Sequence, residues 1–228
     1  MHILKFAALL TACCIAACSS VHETTKGKNR IVFFGDSITE VGVKPNGYVT
    51  LVRDSLRNRS DADRYEVIGA GVSGNRVPDL LARLDRDVIE RKPTLVVIYI
   101  GINDVWHWAL FNKGTTKDQF RSGLIDLIRK IQAAGAKVIL CTPSVVGEKN
   151  DGSNPLDAQL DAYAAISRSV AAETGAQLLD LRKDFIDKLA ATNTNNIEKG
   201  VLTIDGVHLN DAGNRFVASE MLRAIFTP

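Results

Sequence analysis

The sequence predicts an α/β domain in which helices cover both faces of a mostly parallel, five-stranded sheet. Short apolar runs that are typical of buried strands alternate along the chain with amphipathic helical patterns. Such alternation implies parallel strands joined by right-handed crossovers. The 228 residues also suffice for one sizeable domain of this kind, with no repeat and no second domain required.

Five apolar runs are the predicted strands, and three amphipathic patterns mark helical faces between or after them. The strands are Ile31–Phe34, Tyr65–Ile68, Leu95–Ile100, Val138–Cys141 and Gln177–Leu181. The helical faces comprise Val77, Leu80, Leu81, Leu84 and Val88, then Phe120, Leu124, Leu127, Ile128 and Ile131, and finally Phe216, Val217, Met221, Leu222 and Ile225.

The chain begins with a segment typical of export. Residues 1–17 combine Lys5 with an apolar stretch and small residues, and Ile15-Ala16-Ala17-Cys18 resembles the lipobox of bacterial lipoproteins. That resemblance implies cleavage before Cys18 and a lipid on its sulfur, which would hold the chain at the bacterial cell envelope, on the outer-membrane or periplasmic side. A weaker lipobox ends at Cys13, and a plain signal peptide would instead give a secreted protein. Residues 18–29 are polar and are predicted to be a tether to a domain over 30–228.

Composition excludes several classes of protein. With the leader removed and Cys18 lipidated, Cys141 alone remains, so no disulfide framework is available, and we expect Cys141 to be a buried strand-end residue. The formal charge of +2 and the lack of a dense Lys/Arg run argue against nucleic acid as a partner. No metal-ligand pattern is visible, so we expect neither a metal nor a cofactor, and a small-molecule or carbohydrate partner is favoured.

Two distant motifs together supply the parts of a serine hydrolase. Ser37 follows the first strand in Gly35-Asp36-Ser37, and near the end of the chain Asp205 precedes His208 by three residues. Ser37 would be the nucleophile, His208 its base and Asp205 the group that orients the imidazole. Taken singly, a serine after a strand is usually a turn former or a helix cap, and an Asp and a His three residues apart usually mark the start of a helix. The prediction therefore depends on the two motifs occurring together.

Each segment that follows one of the first three strands carries a short polar block. These are Gly-Asp-Ser-Ile-Thr from Gly35, Gly-Val-Ser-Gly-Asn from Gly71 and Gly-Ile-Asn-Asp from Gly101. With Asp205–His208 they resemble, in order and spacing, the SGNH hydrolases, also called GDSL-type esterases and lipases, over residues 30–226. Ligands of parallel sheets bind beyond these carboxyl ends.

The resemblance implies an esterase with a three-layer α/β/α, flavodoxin-like fold and sheet order 2-1-3-4-5. The resemblance implies an acyl-enzyme on Ser37 and an oxyanion hole formed by Ser37, Gly74 and Asn103. Without the resemblance, Gly74 could merely relieve a turn and Asn103 could merely cap a helix. Ile38 and Ile102 depart from the family pattern, and Ile102 is expected to narrow the approach to the oxyanion. Trp106, His107 and Trp108 follow the oxyanion asparagine directly, so they are candidates for the substrate pocket, with core packing as the alternative.

The expected reaction is hydrolysis of short acyl esters, with acetyl esters of carbohydrates as the favoured substrates. Lysophospholipase or thioesterase activity of the same family is the first alternative, and a non-catalytic, lipid-tethered glycan-binding protein is the second. Gly69 to Gly74 also matches a dinucleotide fingerprint, but the acidic residue expected about twenty positions later would be Asp87 or Glu90, within a helix.

Overall fold

The computed structural model describes residues 27–227, and within them a single parallel sheet organises the chain. Its strands are β1 (Asn29–Gly35), β2 (Tyr65–Gly71), β3 (Leu95–Tyr99), β4 (Lys137–Cys141) and β5 (Gln177–Leu179), in the order β2-β1-β3-β4-β5. All neighbouring pairs are parallel. The predicted fold and strand order are therefore confirmed.

Within the described residues, eight α-helices pack around this sheet. They are α1 (Ser37–Gly42), α2 (Tyr48–Arg57), α3 (Val77–Asp87), α4 (Ile102–Phe111), α5 (Lys117–Ala133), α6 (Asp157–Thr174), α7 (Leu181–Thr192) and α8 (Asp211–Phe226). Helix α5 packs between α3 and α6, whereas α2 packs against α8, and Phe185 of α7 meets Phe216 of α8 edge to face. Helices α3, α5 and α6 thus form one outer layer of the sandwich, and α2, α7 and α8 form the other.

Apolar side chains on both faces of the central strands form the core. Ile31 to Phe34 and Val96 to Ile98 are at most 1% exposed, because helices cover the sheet on both sides. Each predicted helical face is buried or packs against this core. Cys141 is fully buried where β4 ends, as predicted, and forms no disulfide within residues 27–227.

Several strand boundaries differ from the prediction. Strand β2 continues through Gly71, and β3 ends one residue earlier than expected, at Tyr99. Strand β5 ends at Leu179 because the Asp180 side chain accepts a hydrogen bond from the Lys183 amide and so caps α7.

The predicted leader, the lipidation site Cys18 and residues 18–26 of the predicted tether lie outside the described residues. Strand β1 begins at Asn29, the last residue assigned to the tether. Within residues 27–227, none of the helices combines the length and apolar character needed to cross a bilayer.

Candidate active site

The first strand delivers Ser37 to the carboxyl edge of the sheet. Strand β1 stops at Gly35, and Asp36 caps α1 by accepting a hydrogen bond from the Ile38 amide at 3.0 Å. Ser37 is therefore the first residue of a helix, with its backbone fixed on both sides. Its Oγ lies 2.9 Å from Nε2 of His208.

Asp205 holds both the backbone and the ring of His208. One carboxylate oxygen accepts the amides of Val207 and His208 at 2.9 and 2.8 Å, and the other lies 2.7 Å from Nδ1 of His208. Partial burial opposes the negative charge, but these three hydrogen bonds keep the pKa of Asp205 below its ordinary value. Because an ionised carboxylate only accepts, a neutral His208 carries its hydrogen on Nδ1, which leaves Nε2 to accept from the Ser37 hydroxyl.

A buried glutamate that the sequence analysis did not identify supports the segment that carries Asp205 and His208. Glu148 is fully buried and accepts the amides of Val201, Leu202 and Thr203 at 2.7, 2.7 and 2.6 Å, and the Thr203 hydroxyl at 2.8 Å. That hydroxyl in turn accepts the Gly206 amide at 3.0 Å. The loop after β4 thus fixes the chain immediately before the Asp205–His208 pair.

The blocks after β2 and β3 meet beside Ser37 because their strands flank β1. Gly35 is paired with Gly71 on one side and with Tyr99 on the other. A Cβ on Gly71 would lie 2.1 Å from the backbone nitrogen of Glu40, so only glycine allows α1 to pack this closely on β2. The Gly74 and Asn103 segments consequently reach the same edge of the sheet as Ser37.

Asn103 does not cap helix α4, whereas Gly74 lies in a turn, as its simpler structural role requires. The N-cap of α4 is Gly101, and Asn103 instead donates from Nδ2 to the Asn75 carbonyl at 3.1 Å. An amide group has two hydrogens, so the second hydrogen of Asn103 is not used by this bond. Gly74 has a φ of 76°, which favours glycine, and lies in the loop that Asn103 contacts.

Two buried aspartates adjoin these candidate site residues. Asp104 accepts the Val77 amide at 3.1 Å through Oδ1, while its Oδ2 has no hydrogen-bond partner among residues 27–227. Burial raises the pKa of Asp104 to about 6. Burial likewise raises the pKa of Asp36 to about 7, and the charge of Asp104 adds to that rise. Both residues hold backbone amides at the site and so support its backbone.

A second unpredicted residue, Arg83, joins the carboxyl ends of β1 and β2. It is 8% exposed, donates to the carbonyls of Gly35 at 2.7 Å and Ala70 at 2.9 Å, and pairs with Asp87 at 2.9 Å. Asp87 lies in α3 and pairs with two arginines, so it does not occupy the strand-end position that a dinucleotide-binding site would need.

The three residues predicted to line the substrate pocket lie in different surroundings. The Trp106 ring meets the His208 ring edge to face, with centroids 6.5 Å apart. His107 faces the Gly74 loop, within a groove that also includes Phe111. Trp108 donates to the Thr115 carbonyl at 3.3 Å and packs so closely on Gly114 that a Cβ there would lie 2.0 Å from the indole. Trp106 and His107 thus adjoin the candidate site, whereas Trp108 packs against the turn after α4.

Comparison with known proteins agrees with this architecture. The family model for the GDSL-like Lipase/Acylhydrolase family matches residues 33–216. The chain is 31% identical to an acetylxylan esterase of Geobacillus stearothermophilus over 86% of this chain and 93% of the relative. It is 26% identical to the uncharacterized lipoprotein YqeF of Bacillus subtilis, over 84% of this chain and 87% of the relative.

Solved structures give a similar result. The crystal structure of the acetyl xylan esterase AlAXEase superposes with a TM-score of 0.85 and 45% sequence identity, covering 86% of this chain and all of that one. The chain therefore belongs to the GDSL-like lipase/acylhydrolase (SGNH) family and is a carboxylic ester hydrolase.

Proposed function

We propose that this protein is a serine esterase that removes short acyl groups, foremost acetyl groups, from carbohydrate esters. The observation that carries the proposal is the continuous hydrogen-bonded path from Asp205 through His208 to the Ser37 hydroxyl. Similarity to two acetylxylan esterases, each over more than four-fifths of this chain, supports the choice of substrate.

In the proposed first step, Ser37 Oγ attacks the ester carbonyl carbon while its proton moves to Nε2 of His208. Asp205 stabilises the resulting imidazolium through Nδ1. The backbone amides of Ser37 and Gly74 and the side-chain amide of Asn103 are the proposed donors to the oxyanion. When the tetrahedral intermediate collapses, the imidazolium returns the proton to the departing sugar oxygen, and the acyl group stays on Ser37.

In the second step, water attacks the acyl-enzyme and gives its proton to Nε2 of His208. Collapse of the second tetrahedral intermediate breaks the bond to Ser37 Oγ, which takes the proton back, and releases the carboxylic acid. Both steps use the same base and the same oxyanion donors, so the loss of any one of them should slow acylation and deacylation alike.

A series of esters tests the substrate class. Initial rates are measured on 4-nitrophenyl acetate, butyrate, octanoate and palmitate, on a palmitoyl thioester and on a lysophospholipid, with Ser37→Ala as the blank. Acetate release from acetylated xylo-oligosaccharides is then followed. We expect kcat/KM to be highest for acetyl esters; a steep rise with chain length, or a preference for the thioester or lysophospholipid, would instead favour the alternative activities. A glycan-binding role without catalysis conflicts with the family assignment and predicts no turnover.

Attachment to the cell envelope through Cys18 is a separate proposal, supported by the Ile15–Cys18 lipobox and by the relative that is described as a lipoprotein. Metabolic labelling with palmitate in a bacterial host should mark the wild-type protein and leave Cys18→Ala unlabelled. Labelling of the Cys18→Ala variant at Cys13 would contradict the assignment, and so would a lack of palmitate labelling in both proteins.

A further inference from the structure

An open groove of about 560 Å³ extends from the Gly74 loop along the end of α4. Gly74 is a proposed oxyanion donor, so the groove adjoins the position of the reacting carbonyl and would receive a part of the substrate beyond it. The residues that define its chemistry are Gly74, Asn75, Arg76, His107, Phe111 and Lys113.

Two acceptor atoms in this groove, Oδ2 of Asp79 and the side-chain oxygen of Asn75, are engaged within the protein. Asp79 accepts hydrogen bonds from the backbone amide and Nε of Arg76, at 2.9 and 3.4 Å. The side-chain oxygen of Asn75 accepts from Arg83 at 2.6 Å. A ligand in the groove would therefore find these two oxygens occupied and Oδ1 of Asp79 open among the described residues.

Several donors, in contrast, are not satisfied by the described part of the chain. Arg76 donates to the Lys113 carbonyl through Nη1 at 2.6 Å. Three other donors make no hydrogen bond or ion pair among residues 27–227: Nη2 of Arg76, the ammonium of Lys113 and the side-chain nitrogen of Asn75. Two cations and the Asp79 carboxylate line the groove, so the lining itself carries a positive charge, while the Glu40 carboxylate lies at its edge, bound to Ser73. Burial and, next, the charge of Arg76 lower the pKa of His107, which favours its neutral form.

An exposed aromatic side chain forms one wall. Phe111 is 60% exposed, and its ring contacts His107 edge to face with centroids 5.2 Å apart. The flat, apolar face of such a ring can pack against the C–H face of a sugar. A polar groove with an aromatic wall therefore fits a pyranose ring better than it fits an acyl chain.

We propose that this groove is a subsite for a uronic acid unit that neighbours the acetylated sugar. The proposal rests on the proposed esterase function. Lys113 and Arg76 would bind the sugar carboxylate, and Phe111 would pack on the ring. The preferred substrate is then an acetylated acidic oligosaccharide rather than a neutral one.

The test compares acetylated xylo-oligosaccharides that bear a glucuronic acid branch with the same oligosaccharides after their carboxylate has been converted to the neutral amide. Acetate release should show a kcat/KM about threefold to tenfold higher for the acid, since exposed charge pairs contribute modestly. The difference should arise mainly in KM and shrink above about 0.5 M salt, where the Debye length is only a few ångström.

Lys113→Gln should lower the ratio of acid to amide, with the remainder due to Arg76, and Phe111→Ala should raise KM for both substrates. Because the ratio is taken within each variant, a general change of activity cancels. Lys117→Gln, an exposed lysine outside the groove, is the matched control and should keep the wild-type ratio.

Equal rates on acid and amide in the wild type, or an unchanged ratio in Lys113→Gln, would overturn the subsite. Lower binding of Lys113→Gln to phosphatidylglycerol vesicles together with an unchanged ratio would overturn it in favour of a membrane-facing surface. Failure of the subsite can be distinguished from failure of the proposed esterase function. If the esterase function is wrong, the protein will also show no Ser37-dependent hydrolysis of 4-nitrophenyl acetate.

Discussion

Glu148 and Thr203 are joined by two hydrogen bonds, because one carboxylate oxygen of Glu148 accepts both the Thr203 amide and the Thr203 hydroxyl. Thr203 is also two residues before Asp205. The pair therefore connects the loop after β4 to the segment on which the proposed base depends, and a fully buried carboxylate with four donors is difficult to replace.

Glu148→Gln should weaken this support. The new side-chain NH₂ group would face the Val201 amide, donor against donor, which costs roughly 1–3 kcal/mol of the free energy of unfolding. Displacement of His208 should lower kcat on the order of tenfold to a hundredfold, with little change in KM. The exposed Glu198→Gln is the matched control. If Glu148→Gln stays folded by circular dichroism and reaches wild-type kcat, Glu148 does not position the base.

Asp205→Asn should separate the orienting role of Asp205 from its structural role. The asparagine oxygen can still accept the Val207 and His208 amides, but its NH₂ group cannot accept the Nδ1 proton, so the imidazole is held in the wrong tautomer. We expect kcat to fall on the order of 10³- to 10⁴-fold while the protein stays folded. Asp211→Asn, at the exposed start of α8, should be without effect. A loss below tenfold for Asp205→Asn would remove Asp205 from the proposed triad.

Asn103→Ala should remove one donor to the oxyanion. The expected loss is about 10²- to 10³-fold in kcat, with KM nearly unchanged, because the interaction forms only in the transition state. Asn103→Asp should lose at least as much, since it introduces negative charge beside a developing negative charge. Steady-state kinetics on 4-nitrophenyl acetate measures both variants, and a kcat within tenfold of wild type for either one would argue against this assignment.

Asp36 should make the free energy of unfolding depend on pH. Its pKa is raised from 3.8 to about 7 in the folded state, so between these values the folded protein binds more protons than the unfolded chain and stability falls as pH rises. Asp36→Asn keeps an oxygen for the Ile38 amide and has no charge to bury. It should therefore be more stable than wild type by about 2–4 kcal/mol at pH 8, and the gain should vanish near pH 4.

Urea unfolding at pH 4.5 and 8 measures this difference, with Asp85→Asn on the exposed face of α3 as the control. A gain of equal size at both pH values, or a destabilisation at pH 8, would be inconsistent with a buried carboxylate whose pKa is raised.

The sheet could be predicted because its strands are apolar on both faces, which gives continuous runs such as Ile31–Phe34 and Val96–Ile98 that few other environments tolerate. Ends of elements were less predictable. Gly69 to Gly71 continue β2 because they pair with Phe33 to Gly35 of β1, and no local pattern indicates that. Strand β5 ends at Leu179, before the end of its apolar run, because Asp180 caps α7.

The candidate site was only partly predictable, for a similar reason. Ser37, Asp205 and His208 stand in recognisable local motifs, yet the 2.9 Å contact between residues 171 positions apart depends on the whole sheet. Glu148 and Arg83 were missed because single charged residues in loops and helices are usually solvated. Arg83 lies three residues after Leu80, on the buried face of α3, and that position was the available signal.

Covalent labelling of Ser37 tests the central claim most directly. After incubation with a fluorophosphonate, peptide mass spectrometry should locate one adduct on Ser37 of the wild-type protein, a much slower reaction in His208→Ala and none in Ser37→Ala, in parallel with ester turnover. A wild-type protein that hydrolyses esters but remains unlabelled at Ser37, or a Ser37→Ala variant that retains turnover, would contradict the assignment of Ser37 as the nucleophile.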